Sequence, residues 1–141
     1  MSAAIDASVP AGAHALERLT TELIAWLTTV TPEGQPQTMP IWFIWEDGTI
    51  LVYGQRVAAR NRNLRHNPRV SLHLADDGIG DDLVIVEGDA VLDAAAPPSK
   101  DHPAYQAKYG GLLERYGWTP EYLSEAYPHP YRITPRRIRI I

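Results

Sequence analysis

The sequence predicts a mainly β protein of the α+β class, built as a small antiparallel barrel with a few peripheral helices. Most of its apolar segments are short and rich in β-branched and aromatic residues, as strands are. Turn-forming pairs such as Asp47-Gly48 separate neighbouring segments at hairpin spacing. Few segments have helical periodicity, and no internal repeat is present. Many strands with few helices favour an antiparallel sheet that curls on itself.

The predicted elements follow the chain in a simple order. Helices are predicted over residues 13–23, 57–66, 97–117 and 119–127. The predicted strands are the apolar segments between turns, at residues 23–30, 36–45, 50–54, 69–74, 83–92 and 131–141. Within the strands, Trp42 and Phe43 would face opposite sides, Gly88 would mark a bulge, and Pro135 would divide the last segment or leave it as one strand.

Length and composition indicate one globular domain. The chain has 141 residues, of which 45% are hydrophobic and 21% charged, and domains of about 100–150 residues are the commonest. We expect residues 1–12 to be a disordered leader and residues 13–141 to form the single domain. The leader lacks the features of a secretory signal, and no apolar run approaches the ~18 residues of a membrane helix. These features predict a cytoplasmic protein with no membrane partner.

Several kinds of chemistry are excluded or disfavoured by residue type. Cysteine is absent, which excludes disulfides, thiolate nucleophiles and thiolate metal ligands. The five histidines lack metal-ligand spacing, so we predict no metal site. No side chain is distinguished as a dedicated acid or base, and the catalytic residues are therefore left unassigned.

The most informative segment is residues 54–70, which concentrate arginine in a chain of formal net charge −4. The five arginines of this segment are Arg56, Arg60, Arg62, Arg65 and Arg69. An acidic pI near 5.7 disfavours a nucleic-acid partner, because such proteins are usually basic over a whole face. Local clusters of arginine in an acidic chain favour a small polyanionic ligand. On charge alone, pairing with the seventeen acids of the chain is an equal alternative.

Arg60 has a distinct position in the predicted helix. At 100° per residue, it lies near Val57 and Leu64 on the apolar face, whereas Arg62 and Arg65 fall on the far side. A guanidinium directed at the protein body is costly unless an anion meets it. The first helical turn also favours phosphate, because its backbone N–H groups are free and the helix dipole is positive there. We expect Arg62 and Arg65 to be solvated or to contact a second subunit.

The ordered set of segments resembles a known family. The run "WLTTVTPEGQPQTMPIWFIWEDGTILVYGQRVAARNRNLRHNPRVSLHL", followed by "VIVEGDAVL", is similar to the pyridoxamine 5′-phosphate oxidase-like flavoproteins. It most resembles their actinobacterial-type flavin/deazaflavin oxidoreductases of group B, the F-420-dependent type. The segments "HPAYQAKYG", "TPEYLSEAY" and "YRITPRRIRI" resemble the same subgroup, so the resemblance covers most of residues 13–139.

The resemblance implies a split β-barrel homodimer, with a cofactor site at the subunit interface. The implied cofactor is FMN or the 8-hydroxy-5-deazaflavin coenzyme F-420, with its ring along Met39, Pro40, Ile41 and Trp42. The implied contacts to its phosphate are Tyr53, Gln55, Arg56 and Arg60. The family pattern Lys-x-Arg-Asn corresponds to residues 60–63, and Arg60 replaces its lysine. Arg62 matches the arginine of this pattern, so the resemblance also implies Arg62 as a cofactor-binding residue. The aromatic residue common at the family's C-terminus is replaced here by Ile140-Ile141.

The extent of positive charge favours the deazaflavin over FMN. The phosphodiester and polyglutamate tail of the deazaflavin form a longer anion than the single phosphate of FMN. A long anion would suit the arginine cluster of residues 56–69, extended by Arg132, Arg136, Arg137 and Arg139. The resemblance then implies an F-420-dependent oxidoreductase that passes hydride to a small unsaturated acceptor. Two alternatives stay open: an FMN-dependent oxidase or reductase of the same fold, and a non-enzymatic binder, which is either a cofactor-binding or carrier protein or a nucleic-acid-binding module built on the arginine cluster.

Overall fold

The structure, a computed structural model, describes residues 3–141. Its helices are α1 (Pro10–Thr21), α2 (Ala59–His66), α3 (Pro103–Tyr116) and α4 (Pro120–Ala126), with a 3₁₀ turn at Ser99–Asp101. Its strands are β1 (Ala25–Val30), β2 (Pro36–Ile41), β3 (Ile44–Glu46), β4 (Thr49–Gly54), β5 (Arg69–His73), β6 (Val84–Leu92) and β7 (His129–Ile140). Among the described residues, no helix combines the length and apolarity needed to span a membrane.

The seven strands form one antiparallel sheet in the order β2-β1-β5-β6-β7-β4-β3. The sheet curls into a half-open barrel, which confirms the predicted mainly β split-barrel fold. One core cluster fills the inside of the sheet around Phe43, Leu72 and Ile133. A second core cluster lies where Tyr105 and Tyr109 of α3 pack against β4. This second cluster fixes α3 and α4 beside the end of β2.

The predicted strand over residues 36–45 is wrong, because the chain bends between β2 and β3. Phe43 is fully buried, and its backbone N–H donates to the hydroxyl of Tyr109 at 2.8 Å. The same hydroxyl donates to the backbone carbonyl of Leu23 at 2.8 Å. Backbone groups at the bend are thus satisfied by α3 instead of a neighbouring strand. Trp42 is left free to stack on Tyr109, with ring centroids 4.5 Å apart.

Several helix boundaries differ from the sequence prediction, and α3 begins at Pro103 instead of residue 97. Helix α1 begins at Pro10, so its first three residues belong to the segment predicted as a disordered leader. The first two residues of that segment lie outside the described part of the chain. Helix α2 begins at Ala59, and the side chain of Val57 is 87% exposed. Val57 therefore does not belong to the inward face of α2, whereas Leu64, one turn after Arg60, is buried in the core as predicted.

Strand β7 is continuous through Pro135, and the irregularity lies in its pairing with β6. Glu87 pairs with Arg137 and Gly88 pairs with Pro135, so Arg136 has no partner across the ladder. A Cβ atom at Gly88 would lie 2.4 Å from the carbonyl oxygen of Thr134. The predicted bulge at Gly88 is confirmed, and its close backbone approach requires glycine.

Candidate functional site

An open groove, here called the strand groove, follows β2 along the edge of the sheet. Its volume is ≈ 630 Å³, and its walls come from β1, β2, the segment after β4 and the start of α2. Strand β2 is the last strand of the sheet on this side, and its first five side chains are exposed. Because these side chains alternate between the two faces, β2 is uncovered on both sides.

A second, smaller space, here called the aromatic cavity, continues from the strand groove. Its volume is ≈ 250 Å³. It is lined by Pro40, Ile41, Trp42, Tyr53, Arg60, Tyr105, Trp118, Leu123 and Tyr127. Pro40, Arg60 and Tyr127 also line the strand groove. The two spaces therefore form one site, with the Arg60 side chain where they meet.

Arg60 is the electrostatic feature of this site. Its Nε and Nη1 atoms are buried and lack a hydrogen-bond partner among the described residues. Burial lowers the pKa of the Arg60 guanidinium below its ordinary value, because the charged form loses hydration. Unsatisfied buried donors on a charged group are expensive. An anion placed in the site would offset the cost of this buried charge.

The N-terminus of α2 adds further donors next to Arg60. Its N-cap residue, Ala58, offers no side-chain hydrogen bond, so the first backbone N–H groups of the helix lack a side-chain acceptor. Ala58 and Ala59 both line the strand groove. Small side chains leave the backbone accessible, and a helix N-terminus favours a phosphate or carboxylate. The groove thus combines a guanidinium and a helix terminus, which together fit a bound anion.

Two buried asparagines hold α2 in this position. Asn61 donates to the backbone carbonyl of Gln55 at 2.9 Å and accepts from the Tyr131 hydroxyl at 2.7 Å. Asn63 donates to the Thr29 hydroxyl and to the side-chain oxygen of Gln37, both at 2.9 Å. These bonds join the helix to β1, β2 and β7. They hold α2 against the sheet, and Arg60, the residue directly before Asn61, projects from this anchored helix into the site.

The structure brings most of the sequence-predicted cofactor residues to this site. Met39 and Gln55 line the strand groove, and Ile41, Trp42 and Tyr53 line the aromatic cavity. Pro40 and Arg60 line both.

Two predicted residues lie elsewhere. Arg56 lines a neighbouring cavity and donates to the carbonyl oxygen of Glu125 at 3.1 Å. Arg62 lies on the outer side of α2, where its side chain is 69% exposed and 3.9 Å from Glu33. Arg62 lines neither the strand groove nor the aromatic cavity.

The arginines of β7 do not extend the cluster, and the expectation that they would is wrong. Arg132 is bound by Glu46 at 2.7 Å and by Asp93 at 3.1 Å. Arg136 pairs with Asp89, and Arg137 lies 3.9 Å from Glu87. Arg139 is opposite Ile85, near the far end of β7 from the start of α2. Carboxylates of the chain itself therefore meet three of these four charges.

Sequence reasoning missed the wall that α3 and α4 contribute. Tyr105, Trp118, Leu123 and Tyr127 all line the aromatic cavity, yet they are more than fifty residues from β2. Their convergence on β2 depends on the packing of Tyr105 and Tyr109 against β4, which spacing along the chain does not reveal.

The fold and the site define a split-barrel protein with a groove that carries a buried guanidinium beside an aromatic cavity. The family model described as pyridoxamine 5′-phosphate oxidase matches residues 12–140. The chain belongs to this family. No curated protein matches the sequence.

Solved structures agree with this assignment of the fold. A conserved hypothetical protein of Mycobacterium tuberculosis is 25% identical, with a TM-score of 0.73, over 90% of this chain and 81% of that one. An F-420 reductase is 22% identical, with a TM-score of 0.64, over 87% and 94% of the two chains. HutZ, the heme storage protein of Vibrio cholerae, is 19% identical, with a TM-score of 0.65, over 91% and 92%. Proteins that share this fold are thus named for different functions.

Proposed function

We propose that this protein is a coenzyme F-420-dependent oxidoreductase, which passes hydride from the reduced deazaflavin to a small unsaturated acceptor. The observation that supports the proposal most directly is the unsatisfied guanidinium of Arg60, beside the start of α2 and an open groove. A phosphate group in the groove would offset the buried charge of Arg60 and accept hydrogen bonds from the helix N-terminus. One structural neighbour is named an F-420 reductase, which supports this choice within the family.

The residues of the chain would divide the work between the two spaces. Arg60 and the first N–H groups of α2 would bind the phosphate, and Gln55 would lie beside it. Met39 and Pro40, on the uncovered edge strand, would support the ring. The aromatic cavity would hold the acceptor and exclude water from it. When bound, the reduced deazaflavin would supply the hydride, which is the chemistry that the side chains themselves lack.

An FMN-dependent oxidase or reductase is the second candidate, and one observation favours it. With three of the β7 arginines paired to carboxylates, the cations available to a long polyanionic tail reduce to those near α2. FMN carries one phosphate, for which Arg60 and the helix terminus suffice. A non-enzymatic carrier is the third candidate, supported by the similarity of fold to a heme storage protein.

We also propose that the protein forms a homodimer with the site at the subunit interface. Met39 is 62% exposed and Trp26, on the adjacent strand, is 39% exposed. An uncovered edge strand with apolar side chains on both faces favours pairing with a second chain. Sedimentation at micromolar concentration should give the mass of a dimer. A stable monomer that still binds coenzyme with full affinity would contradict the shared site.

Titration of the purified protein with coenzyme F-420 and with FMN tests the main proposal. We expect saturable binding of F-420 that is tighter than that of FMN, followed by oxidation of the reduced coenzyme when an activated alkene is added without oxygen. Tighter binding of FMN would favour the second candidate. Tight binding of either cofactor without turnover of any acceptor would favour the carrier.

A further inference from the structure

The hydroxyl of Tyr105 stands apart from those of the other buried tyrosines. Four tyrosines of the described chain are buried, at positions 53, 105, 109 and 131. Three of them donate to protein oxygens at distances between 2.5 and 2.8 Å: Tyr53 to Pro97, Tyr109 to Leu23, and Tyr131 to Asn61. Tyr105 makes no such bond within residues 3–141. A buried hydroxyl normally has a partner, so this exception needs a cause.

The Tyr105 hydroxyl faces open space and not the packed core. The side chain is only 3% exposed. Among the described residues, however, the only fully enclosed side-chain nitrogen or oxygen atoms without a hydrogen-bond partner belong to Arg60, so the Tyr105 hydroxyl is not one of them. The hydroxyl oxygen is therefore accessible, and the space that Tyr105 lines is the aromatic cavity. Burial also raises the pKa of Tyr105 above its ordinary value, so the hydroxyl stays protonated and can donate.

The aromatic cavity is suited to a small, flat and uncharged molecule. Most of its wall consists of rings and aliphatic side chains, including Trp42, Tyr53 and Trp118. Its one cation, Arg60, lies at the junction with the strand groove. At ≈ 250 Å³ it is much smaller than the groove at ≈ 630 Å³. Apolar walls with a few placed polar groups are typical of sites that orient a small molecule.

We infer that Tyr105 donates a hydrogen bond to the carbonyl oxygen of a small, flat, neutral α,β-unsaturated carbonyl compound bound in the aromatic cavity. The inference rests on the proposed function in taking this cavity as the acceptor's side of the site. Hydride from the reduced coenzyme would form a C–H bond at the β-carbon, and the electron pair of the C=C bond would shift toward the carbonyl oxygen. Tyr105 stabilises the charge that develops on that oxygen. A proton from solvent completes the reduction at the α-carbon.

A pair of matched ligands tests this inference without any turnover. 1-Tetralone and tetralin share one ring skeleton, but only 1-tetralone has a carbonyl oxygen. We expect the protein to bind 1-tetralone more tightly than tetralin. Tyr105→Phe should weaken the binding of 1-tetralone roughly 3- to 10-fold, which corresponds to the loss of one neutral hydrogen bond. Tetralin should bind both proteins equally. Quenching of tryptophan fluorescence, through Trp42 and Trp118 in the cavity wall, gives the affinities.

Tyr116→Phe is the control, because Tyr116 is also on α3 but is 65% exposed and outside the cavity wall. It should leave both affinities unchanged. Equal binding of the two ligands by the natural protein would overturn the inference, even if Tyr105→Phe failed to fold. Displacement of 1-tetralone by coenzyme F-420 would also overturn it, because the acceptor and the coenzyme must bind together. If the protein preferred 1-tetralone but bound no coenzyme, the role of Tyr105 as a hydrogen-bond donor would be supported and the proposed function would be overturned.

Discussion

Two regions of this protein are rich in arginine, and they use the charge differently. On β7, Arg132 lies between Glu46 and Asp93. On α2, two nitrogens of Arg60 are enclosed without any hydrogen-bond partner in the described chain. Burial alone would lower the pKa of both groups. For Arg132, hydrogen bonds to Glu46 and Asp93 outweigh burial and raise the pKa, whereas the pKa of Arg60 stays lowered.

The comparison separates arginines that pair with carboxylates of the chain from one whose buried donors have no partner among the described residues. A paired arginine contributes to the free energy of unfolding and leaves little charge for an external anion. An arginine enclosed without a partner destabilises the empty protein and gains most when an anion binds. Clustering along the sequence does not distinguish the two cases. The following variants should affect binding in one region and stability in the other.

The largest expected effect is on cofactor binding at α2. Arg60→Ala should weaken binding of coenzyme F-420 by roughly 10- to 150-fold, because a hydrogen bond to a charged group is worth about 1.5–3 kcal/mol. The free energy of unfolding of the empty protein should be unchanged or higher, since an unsatisfied buried charge is removed. Coenzyme titration and urea unfolding measure the two quantities.

Arg60→Lys is the matched control for that variant. It keeps the charge and removes only the planar fork of donors, so the loss of affinity should be smaller than for Arg60→Ala. If Arg60→Ala and the exposed Arg65→Ala gave equal and small losses at the same ionic strength, the cluster would act as diffuse charge. The assignment of Arg60 to the phosphate would then be dropped.

The reverse result is expected on β7. Arg132→Ala should lower the free energy of unfolding by about 1.5–3 kcal/mol, because it removes the hydrogen bond from Arg132 to the partly buried Glu46 carboxylate. Coenzyme affinity should not change. Arg137→Ala, which removes an exposed pair, should lower the free energy of unfolding by less than about 1 kcal/mol. A loss of affinity in Arg132→Ala as large as that in Arg60→Ala would place β7 in the binding site.

Acid titration sharpens the comparison further. Burial would raise the pKa of the Glu46 carboxyl, but hydrogen bonds from Arg132 and His102 outweigh it and hold that pKa below its ordinary value of 4.5. As pH falls through that value, the unfolded chain binds a proton at Glu46 before the folded protein does. The stability that Glu46 contributes is therefore present above the ordinary pKa and is lost as pH falls through the folded pKa.

Arg132→Ala should reduce this pH dependence, because it removes a partner that lowers the pKa of Glu46. Urea unfolding at a series of pH values below 5 would measure the slope in both proteins. Arg60→Ala should leave the slope unchanged, since no carboxylate of residues 3–141 pairs with Arg60. Parallel pH profiles for the natural protein and Arg132→Ala would contradict the role given to this ion pair.

The smallest effects are expected for the outward-facing arginines of α2. Arg62→Ala should change coenzyme affinity little, because Arg62 is exposed and outside the site. Arg65→Ala should likewise change it little. Any small loss should disappear at high salt, where exposed charges are screened. A large loss in Arg62→Ala that persists at high salt would restore Arg62 to the cofactor-binding set, with the second subunit as the route of contact.

Several features of the fold were predictable because they depend on neighbouring residues. Alternating apolar segments and tight turns gave the strands, and Gly88 gave the bulge. The bend at Phe43 was not predictable in this way. It depends on Tyr109, sixty-six residues further along the chain, whose hydroxyl replaces a strand partner. Apolar pattern alone therefore predicted one long strand where the structure has two short ones.

The orientation of Arg60 toward the site was predicted, but for a reason that the structure corrects. Val57 is exposed and outside α2, so no apolar face including it turns Arg60 inward. Leu64, one turn after Arg60, is buried in the core, and Asn61 and Asn63 add hydrogen bonds to β1, β2, β7 and the segment after β4. Those partners are far apart in sequence, and polar anchors leave no hydrophobic periodicity to detect.

The sequence by itself determined the fold class, the family and the presence of a concentrated positive charge near the start of α2. These depend on local pattern and composition, which the chain carries whatever its tertiary packing. Tertiary structure alone decided which arginines are neutralised and which is left without a partner. It also decided that Tyr105 faces a cavity with a free hydroxyl. Both outcomes depend on distances of a few ångströms between residues distant in sequence, because hydrogen bonds and ion pairs form only at contact.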